Sequence, residues 1–394
     1  MFLWNPETGN VRLESVELKN LTRAGALNGT FVEVQNAVVM NFPNPDLFHP
    51  RSEIVGNAKP DEHGDFIYSP AGGGRRIDRA LVAGCKARAT YIEASHFGEV
   101  NVYYHINRCA EYVNAILCEL NHRPLPKVVA RVNAHGANIE HDGIRDGVFR
   151  KNKWFPFQGA HYRLPGKAIT VKEHELLSEL GEIHFGPGRR LTKGGALQDF
   201  NGGPYRANSS HNCGIIYHEY GHHLTRHTAD FLANSLRPAD AQSNRKTSLD
   251  EGYCDYLAAT LMETPHIWAL HHPHSDLTNH QRSLSSSRTM SDFDGGADEH
   301  RNGTIWASAL WQLRSVVGKQ VCDRLVFKSL ILIGKTEPFL TKCGAVTRAR
   351  EPFAVALAAL LNADQELYSG LNRKVIRSVF EQREICAGLE AGMS

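Results

Sequence analysis

The sequence of 394 residues lacks the features that mark several classes of protein. Its longest apolar run, at 353–361, is far short of the roughly 18 residues that a membrane-spanning helix needs. Its eight cysteines form no CxxC pair, which disfavours a cysteine zinc site and leaves free thiols as the expectation. Lysine and arginine number 44 and aspartate and glutamate 42, so no excess charge favours nucleic acid or an anionic membrane as a partner.

The N-terminal stretch also lacks the apolar segment of an export signal. Pro6, Glu7, Glu14 and Glu17 interrupt it, so the sequence taken alone predicts a cytoplasmic protein. Histidine, by contrast, is abundant, with 21 residues. Because histidine is the commonest metal ligand in proteins, its abundance directs attention to metal chemistry.

Hydrophobic periodicity divides the chain into three regions and predicts an α+β fold. Residues 1–95 contain alternating segments and turn signals typical of β structure, and residues 96–228 combine a long amphipathic helix with strands. From about residue 210 onward helices dominate, and 264–301 is the longest irregular stretch. Helices are predicted over 97–121, 211–228, 249–263, 302–317, 321–333, 352–362 and 372–382.

The segment His218-Glu219-Tyr-Gly-His222 has the pattern HExxH within helical apolar spacing. Residues four apart on a helix lie one turn apart on the same face, so the imidazoles of His218 and His222 can bind one metal ion. The adjacent Glu219 can act as a base on water bound to that metal. The pattern predicts two zinc ligands and a base, although five residues alone are only moderately specific.

A catalytic zinc site needs a third protein ligand, and Glu251 is the candidate. It follows His222 by 29 residues, which is enough for a turn and a returning helix. Asp255, four residues further on, shares its helical face and can accept a hydrogen bond from a ligand imidazole. Ser248 and Glu251 also form a capping-box pattern, so Glu251 could instead cap its helix.

These motifs together resemble those of the gluzincin metallopeptidases, and more closely those of the thermolysin and fungalysin group. The resemblance begins with His218-Glu-Tyr-Gly-His222 and Asp250-Glu251-Gly-Tyr-Cys-Asp255-Tyr. It covers roughly residues 95–385, because further stretches are also similar. These are Tyr103-Tyr-His-Ile-Asn107, Ile183-His-Phe-Gly-Pro-Gly188 and His300-Arg-Asn-Gly-Thr-Ile-Trp.

The resemblance implies a two-lobed thermolysin-like fold. An α/β lobe, 96–228, would end in the HExxH helix, and a mainly helical lobe, 229–394, would carry the third zinc ligand. The β-rich region 1–95 would form an N-terminal extension.

The resemblance also implies a role for each site residue. His218, His222 and Glu251 would bind one Zn²⁺, Glu219 would be the general base, Asp255 would orient His218, and His300 would donate a hydrogen bond to the oxyanion. His300 could otherwise be a surface histidine, and Asp298 could orient it.

Several features depart from the family pattern. Residues 225–234 contain no tyrosine to serve as a second oxyanion donor. The strand that binds the substrate backbone could be represented by Gly159-Ala160-His161-Tyr162 or by Asn133-Ala134. The acidic segment 292–299 could bind Ca²⁺, as relatives often do, or could simply be solvated. Relatives are usually exported, so the resemblance leaves secretion open.

The predicted function is zinc-dependent hydrolysis of peptide bonds, most simply by an endopeptidase acting on a peptide or protein substrate. One alternative is a narrow-specificity intracellular processing peptidase that removes a leader. A second alternative, suggested by the missing tyrosine, is a non-catalytic zinc-stabilised binding module. The sequence indicates no oligomeric state.

Overall fold

A computed structural model describes most of the chain. The described residues are 1–8, 10–39, 52–54, 56–70, 88–134, 136–138, 154–156, 159–163, 181–186, 189–191, 197–199, 208–229, 241–267, 282–335 and 352–386. Part of the predicted irregular stretch 264–301, namely 268–281, lies outside them. Within the described residues, no helix is both long and apolar enough to cross a membrane.

The secondary structure is mixed, which confirms the predicted α+β class. The strands are β1 (Phe2–Asn5), β2 (Asn10–Leu13), β3 (Val32–Val39), β4 (Ser52–Ile54), β5 (Val128–Val132), β6 (Gly136–Asn138), β7 (Trp154–Pro156), β8 (Ala160–Arg163), β9 (Glu182–Phe185), β10 (Arg189–Leu191) and β11 (Leu197–Asp199). The helices are α1 (Arg88–Glu119), α2 (Cys213–His227), α3 (Ala241–Met262), α4 (Glu299–Val317), α5 (Lys319–Lys335), α6 (Pro352–Tyr368) and α7 (Arg373–Glu381).

The chain divides into two compact units. Unit 1 consists of Met1–Ala110, Pro126–Glu219 and Leu270–Pro273. Unit 2 consists of Glu111–Leu125, Tyr220–Ala269 and His274–Ser394. The division into regions 1–95, 96–228 and 229–394 stays a prediction.

A five-stranded sheet forms the centre of unit 1. Its strand order is β4-β3-β5-β9-β8, with β3, β5 and β9 parallel and the outer strands β4 and β8 antiparallel to their neighbours. The central strand β5 reads Val-Val-Ala-Arg-Val and is almost entirely buried. A near-continuous apolar run of this kind is typical of a strand covered on both faces.

The unit 1 part of α1 shows the periodicity that the sequence predicts. Val100, Tyr103, Ile106 and Ala110 recur at three- and four-residue intervals, and all four are buried. The helix begins at Arg88, nine residues before the predicted start at 97. The apolar repeat therefore identifies the helix but not its first residue.

The core of unit 2 is built around Trp306 on α4. This side chain is fully buried and makes ring contacts with Tyr253 of α3, Phe353 of α6 and Phe380 of α7. Buried aromatic side chains of this size dominate the apolar area removed from water. The four rings thus connect four helices through one packed cluster.

Helices α3 and α4 approach each other through glycine. A Cβ atom on Gly252 would lie 2.7 Å from the carbonyl oxygen of Gly303, and one on Gly303 would lie 2.8 Å from the carbonyl oxygen of Ser248. Side chains at either position would force the helices apart. This close contact fixes Glu251, next to Gly252, against the first turns of α4.

We expect Gly252→Ala to lower the free energy of unfolding by about 1–3 kcal/mol, because overpacking a close helix contact shifts backbone atoms. Urea denaturation followed by circular dichroism measures this change. Gly56→Ala is the matched control, since a Cβ there meets nothing within 4 Å. Equal, small effects of the two substitutions would contradict the helix contact.

Candidate metal centre

The helix that carries HExxH begins at a polar turn. The side chain of Asn212 caps α2, because its Oδ1 accepts hydrogen bonds from the backbone N–H groups of Gly214, at 2.9 Å, and Ile215, at 3.3 Å. Just before it, the backbone N–H of Ser209 donates to the carbonyl oxygen of Gly186, at 3.1 Å, directly after β9. The start of the helix is therefore fixed to the sheet of unit 1.

A buried histidine on α1 holds the residue next to the first motif histidine. His105 Nδ1 lies 2.7 Å from the hydroxyl of Tyr217, and its Nε2 lies 3.0 Å from the carbonyl oxygen of Phe2. Burial lowers the pKa of His105 to about 3, so the ring is neutral. Since a carbonyl only accepts, Nε2 carries the proton and Tyr217 donates to Nδ1.

The motif residues lie together on one buried stretch of α2. His218 and His222 are one helical turn apart, so their side chains extend from the same face. Glu219 sits between them in sequence, and all three side chains are buried. Buried imidazoles and a buried carboxylate in such proximity need charge compensation, which a metal ion can supply.

Glu251 of α3 lies close to the motif and to His300. Its Oε2 is 3.6 Å from His222 Nε2 and 3.2 Å from His300 Nε2. Two ligands of a tetrahedral zinc ion are about 3.4 Å apart when both bonds are about 2.1 Å, so the spacing of His222 and Glu251 fits this ion.

The capping-box alternative for Glu251 is wrong. Helix α3 begins at Ala241 instead of the predicted 249, which places Ser248 and Glu251 inside the helix. A side chain in the helix interior cannot cap the first turn. The carboxylate of Glu251 is thus available to the histidines described above.

Asp250 is a site residue that the sequence reasoning missed. Its Oδ2 accepts a hydrogen bond from His222 Nδ1 at 3.1 Å, and its Oδ1 accepts one from the hydroxyl of Thr225 at 2.7 Å. Because Nδ1 donates to Asp250, Nε2, which faces Glu251, is the ring nitrogen left to bind a metal ion. An acidic residue directly before Glu251, the predicted third ligand, was the available signal.

Two carboxylates and a thiol surround His222. Burial lowers the pKa of its imidazole, but Cys254, Asp250 and Glu251 outweigh this, so the pKa lies well above its usual value. The Sγ atom of Cys254 is 3.3 Å from His222 Nδ1. An environment that favours a proton on this ring also favours a metal cation at the same place.

Asp255, predicted to orient His218, is fully buried on α3. Its carboxylate forms an ion pair with Arg282, whose Nε lies 3.3 Å from Oδ2. Arg282 belongs to the stretch predicted to be irregular, and no sequence spacing indicated this partner. The hydrogen bond from His218 to Asp255 stays a prediction.

His300 lies at the start of α4 and is oriented by Asp298. The Oδ1 of Asp298 caps the helix by accepting from the backbone N–H of His300, at 2.9 Å, and also lies 2.6 Å from His300 Nδ1. The hydrogen bond from His300 lowers the pKa of Asp298 to about 2. The expected alternative, that Asp298 orients His300, is confirmed, and Nε2 of the ring is directed toward Glu251.

The acidic segment 292–299 uses its carboxylates locally. Asp292 accepts from the backbone N–H of Thr289 and Asp294 from that of Gly296, each at 2.9 Å. These are capping interactions of the kind that aspartate makes in turns. Calcium binding by this segment stays a prediction.

Comparison with known proteins shows the family to which the chain belongs. A model of the fungalysin metallopeptidase family matches residues 1–389. Extracellular metalloproteinase 2 of Trichophyton tonsurans and that of Arthroderma benhamiae are each 26% identical to the chain over 212 residues. Each match covers 45% of this chain and 31% of the relative, so the chain spans about a third of the length of these proteins. Because the family model matches almost the whole chain, the chain belongs to the fungalysin metallopeptidase family.

Proposed function

We propose that the protein is a zinc-dependent endopeptidase. One observation carries this proposal. Oε2 of Glu251, on α3, lies 3.6 Å from Nε2 of His222, on the helix that bears HExxH. Family membership supports the same reaction, since the family is one of zinc-dependent metallopeptidases. No specific observation favours the intracellular leader peptidase or the non-catalytic binding module.

In this proposal His218, His222 and Glu251 hold the zinc ion. Two imidazoles and one carboxylate are the ligand set of several catalytic zinc sites and leave a fourth position open. When bound, zinc lowers the pKa of water to about 7 and polarises a carbonyl group. Asp250 keeps His222 in the tautomer whose Nε2 can bind a metal.

Glu219 and His300 carry the proton transfers and the charge stabilisation. Glu219 takes a proton from the attacking water and delivers it to the leaving amine. His300 donates from Nε2 to the developing oxyanion, while its Nδ1 donates to Asp298. The position of a second oxyanion donor is not assigned.

We further propose that the substrate backbone pairs with β8. Ala160, His161 and Tyr162 lie on this strand, at one edge of the sheet among the described strands. Asn133, the alternative, is buried after the central strand β5 and donates its side-chain amide to Asn36 at 2.9 Å. An edge strand can add an extended peptide, whereas a central strand cannot.

The detailed fold, the location and the substrate of the protein are also proposals, and family membership supports them. The two compact units support the two-lobed thermolysin-like fold. The relatives are named extracellular metalloproteinases, which does not support the predicted cytoplasmic location. We therefore propose that the protein is secreted. The partner is a peptide or protein substrate.

We expect Glu219→Gln to retain one zinc per chain and to lose hydrolysis by at least about 100-fold, because a general base contributes roughly 10²–10⁴ to the rate. Elemental analysis and mass spectrometry of a digested peptide library measure both quantities on one sample. Glu7→Gln, at an exposed position, is the matched control. An unchanged rate for Glu219→Gln would refute the assigned mechanism.

We expect His222→Ala to lose the metal and the activity together, because removal of one of three ligands leaves two buried groups that cannot hold the ion alone. Zinc content after dialysis is the measurement. His63→Ala, on an exposed turn, controls for loss of a histidine. Stoichiometric zinc in His222→Ala would show that the ligand set is wrong.

We expect Asp250→Ala to weaken zinc binding by about 10–100-fold, because the partner of a ligand imidazole fixes its ring and tautomer. Competition with a fluorescent chelator gives the affinity without turnover. Asp250→Asn, which keeps one acceptor for His222, should fall between Asp250→Ala and the unchanged protein. If Asp250→Ala binds zinc as tightly as the unchanged protein, Asp250 has no role in the site.

A further inference from the structure

A surface groove in unit 1 has no part in the proposed reaction. Its volume is about 490 Å³, and none of the candidate metal ligands lines it. Among the described residues, five large apolar side chains are exposed, and three of them line this groove. These are Leu13, Leu21 and Ile67, with exposed fractions of 56%, 40% and 70%. Clustered exposed apolar groups of this kind mark binding surfaces.

The groove has an apolar floor and an acidic rim. Phe66 and Phe97 are buried beneath it. Glu14, Glu17 and Asp65 are exposed along it, and the cationic group among the lining residues is the ammonium of Met1, next to Glu14. The complementary ligand is therefore apolar in part and carries positive charge.

One wall of the groove is the backbone at 15–18, which follows β2 beyond the end of its ladder with β1. The ladder of β1 and β2 pairs Phe2 with Leu13 and ends where the N–H of Glu14 donates to the carbonyl oxygen of Met1, at 3.0 Å. Beyond it, side chains at 15–18 alternate between exposed and half-buried, which indicates extended backbone. These residues make no backbone hydrogen bond to the described residues. Unpaired extended backbone is a template for strand addition.

We propose that this groove binds an extended segment of another polypeptide that is rich in apolar and basic side chains. The segment adds as a strand beside residues 15–18, in line with β1. Alternate side chains of the segment pack against Leu13, Leu21 and Ile67. Lysine or arginine side chains of the segment pair with Glu14, Glu17 and Asp65. Strand addition supplies affinity through backbone hydrogen bonds, and the side-chain positions supply specificity.

Fluorescence anisotropy with a short labelled peptide of alternating lysine and valine tests this proposal. The full chain carrying Glu219→Gln is used so that the probe is not cleaved. Ile67→Ser and Glu17→Lys should each weaken binding about tenfold, equivalent to about 1.4 kcal/mol. Leu371→Ser, 82% exposed in unit 2, and Glu7→Lys, outside the groove, are matched controls and should leave the affinity unchanged.

Three further results test the proposal. A peptide of alternating glutamate and valine should bind at least about tenfold more weakly than the lysine peptide; equal binding of the two would overturn the proposal. Equal binding of the lysine peptide to Ile67→Ser and Leu371→Ser would also overturn it. If sedimentation instead detects a dimer that Ile67→Ser abolishes, the occupant is a second copy of this chain and the proposal is wrong. Circular dichroism checks that each variant folds. If Ile67→Ser unfolds, Leu13→Ser is tested in its place.

Discussion

Helix α3 has to pass close enough to α2 for one imidazole to meet two carboxylates. Gly221 permits this, because a Cβ atom there would lie 2.8 Å from the Cα of Cys254. At that separation Asp250 reaches Nδ1 of His222, and Glu251 approaches Nε2. The close contact of Gly252 with Gly303 then sets α4 against the same helix, which places His300 beside Glu251. Small residues at helix contacts therefore determine the geometry of the site.

The electrostatics of the site follow from this packing. Asp250 and Glu251 are both buried within reach of one histidine. Buried negative charges are costly unless a cation compensates them. The raised pKa of His222 expresses this demand for positive charge, which a metal ion in the proposed site would meet. Packing, charge and the proposed reaction are thus consequences of the same arrangement.

The local parts of the fold could be predicted from the sequence, whereas several pairs of interacting side chains could not. Periodicity identified α2, and α4 ends at Val317, the predicted last residue, just before Gly318 with its φ of 85°. The start of α3 was placed eight residues late, because Ser248 and Glu251 match a capping box although the helix already begins at Ala241. A local motif carries no information about helical residues that precede it.

Long-range pairs were the main omission. Asp255 meets Arg282, which lies 27 residues away in a stretch without regular pattern, and Asp250 is directed toward α2 only because of how the two helices cross. The spacing of residues along a helix determines the face on which each residue lies. It does not determine which residues of other segments that face contacts. The role of Asp298 was easier to anticipate, because its partner His300 is only two residues away.

The central claim is that the motif on α2 and Glu251 on α3 form a catalytic zinc site, and one sample of the unchanged protein tests it most directly. Elemental analysis gives the metal content, and mass spectrometry of a peptide library gives cleavage with and without a chelator. The account predicts one zinc per chain and cleavage that the chelator stops and added zinc restores. Absence of zinc, or cleavage that the chelator does not affect, would contradict it.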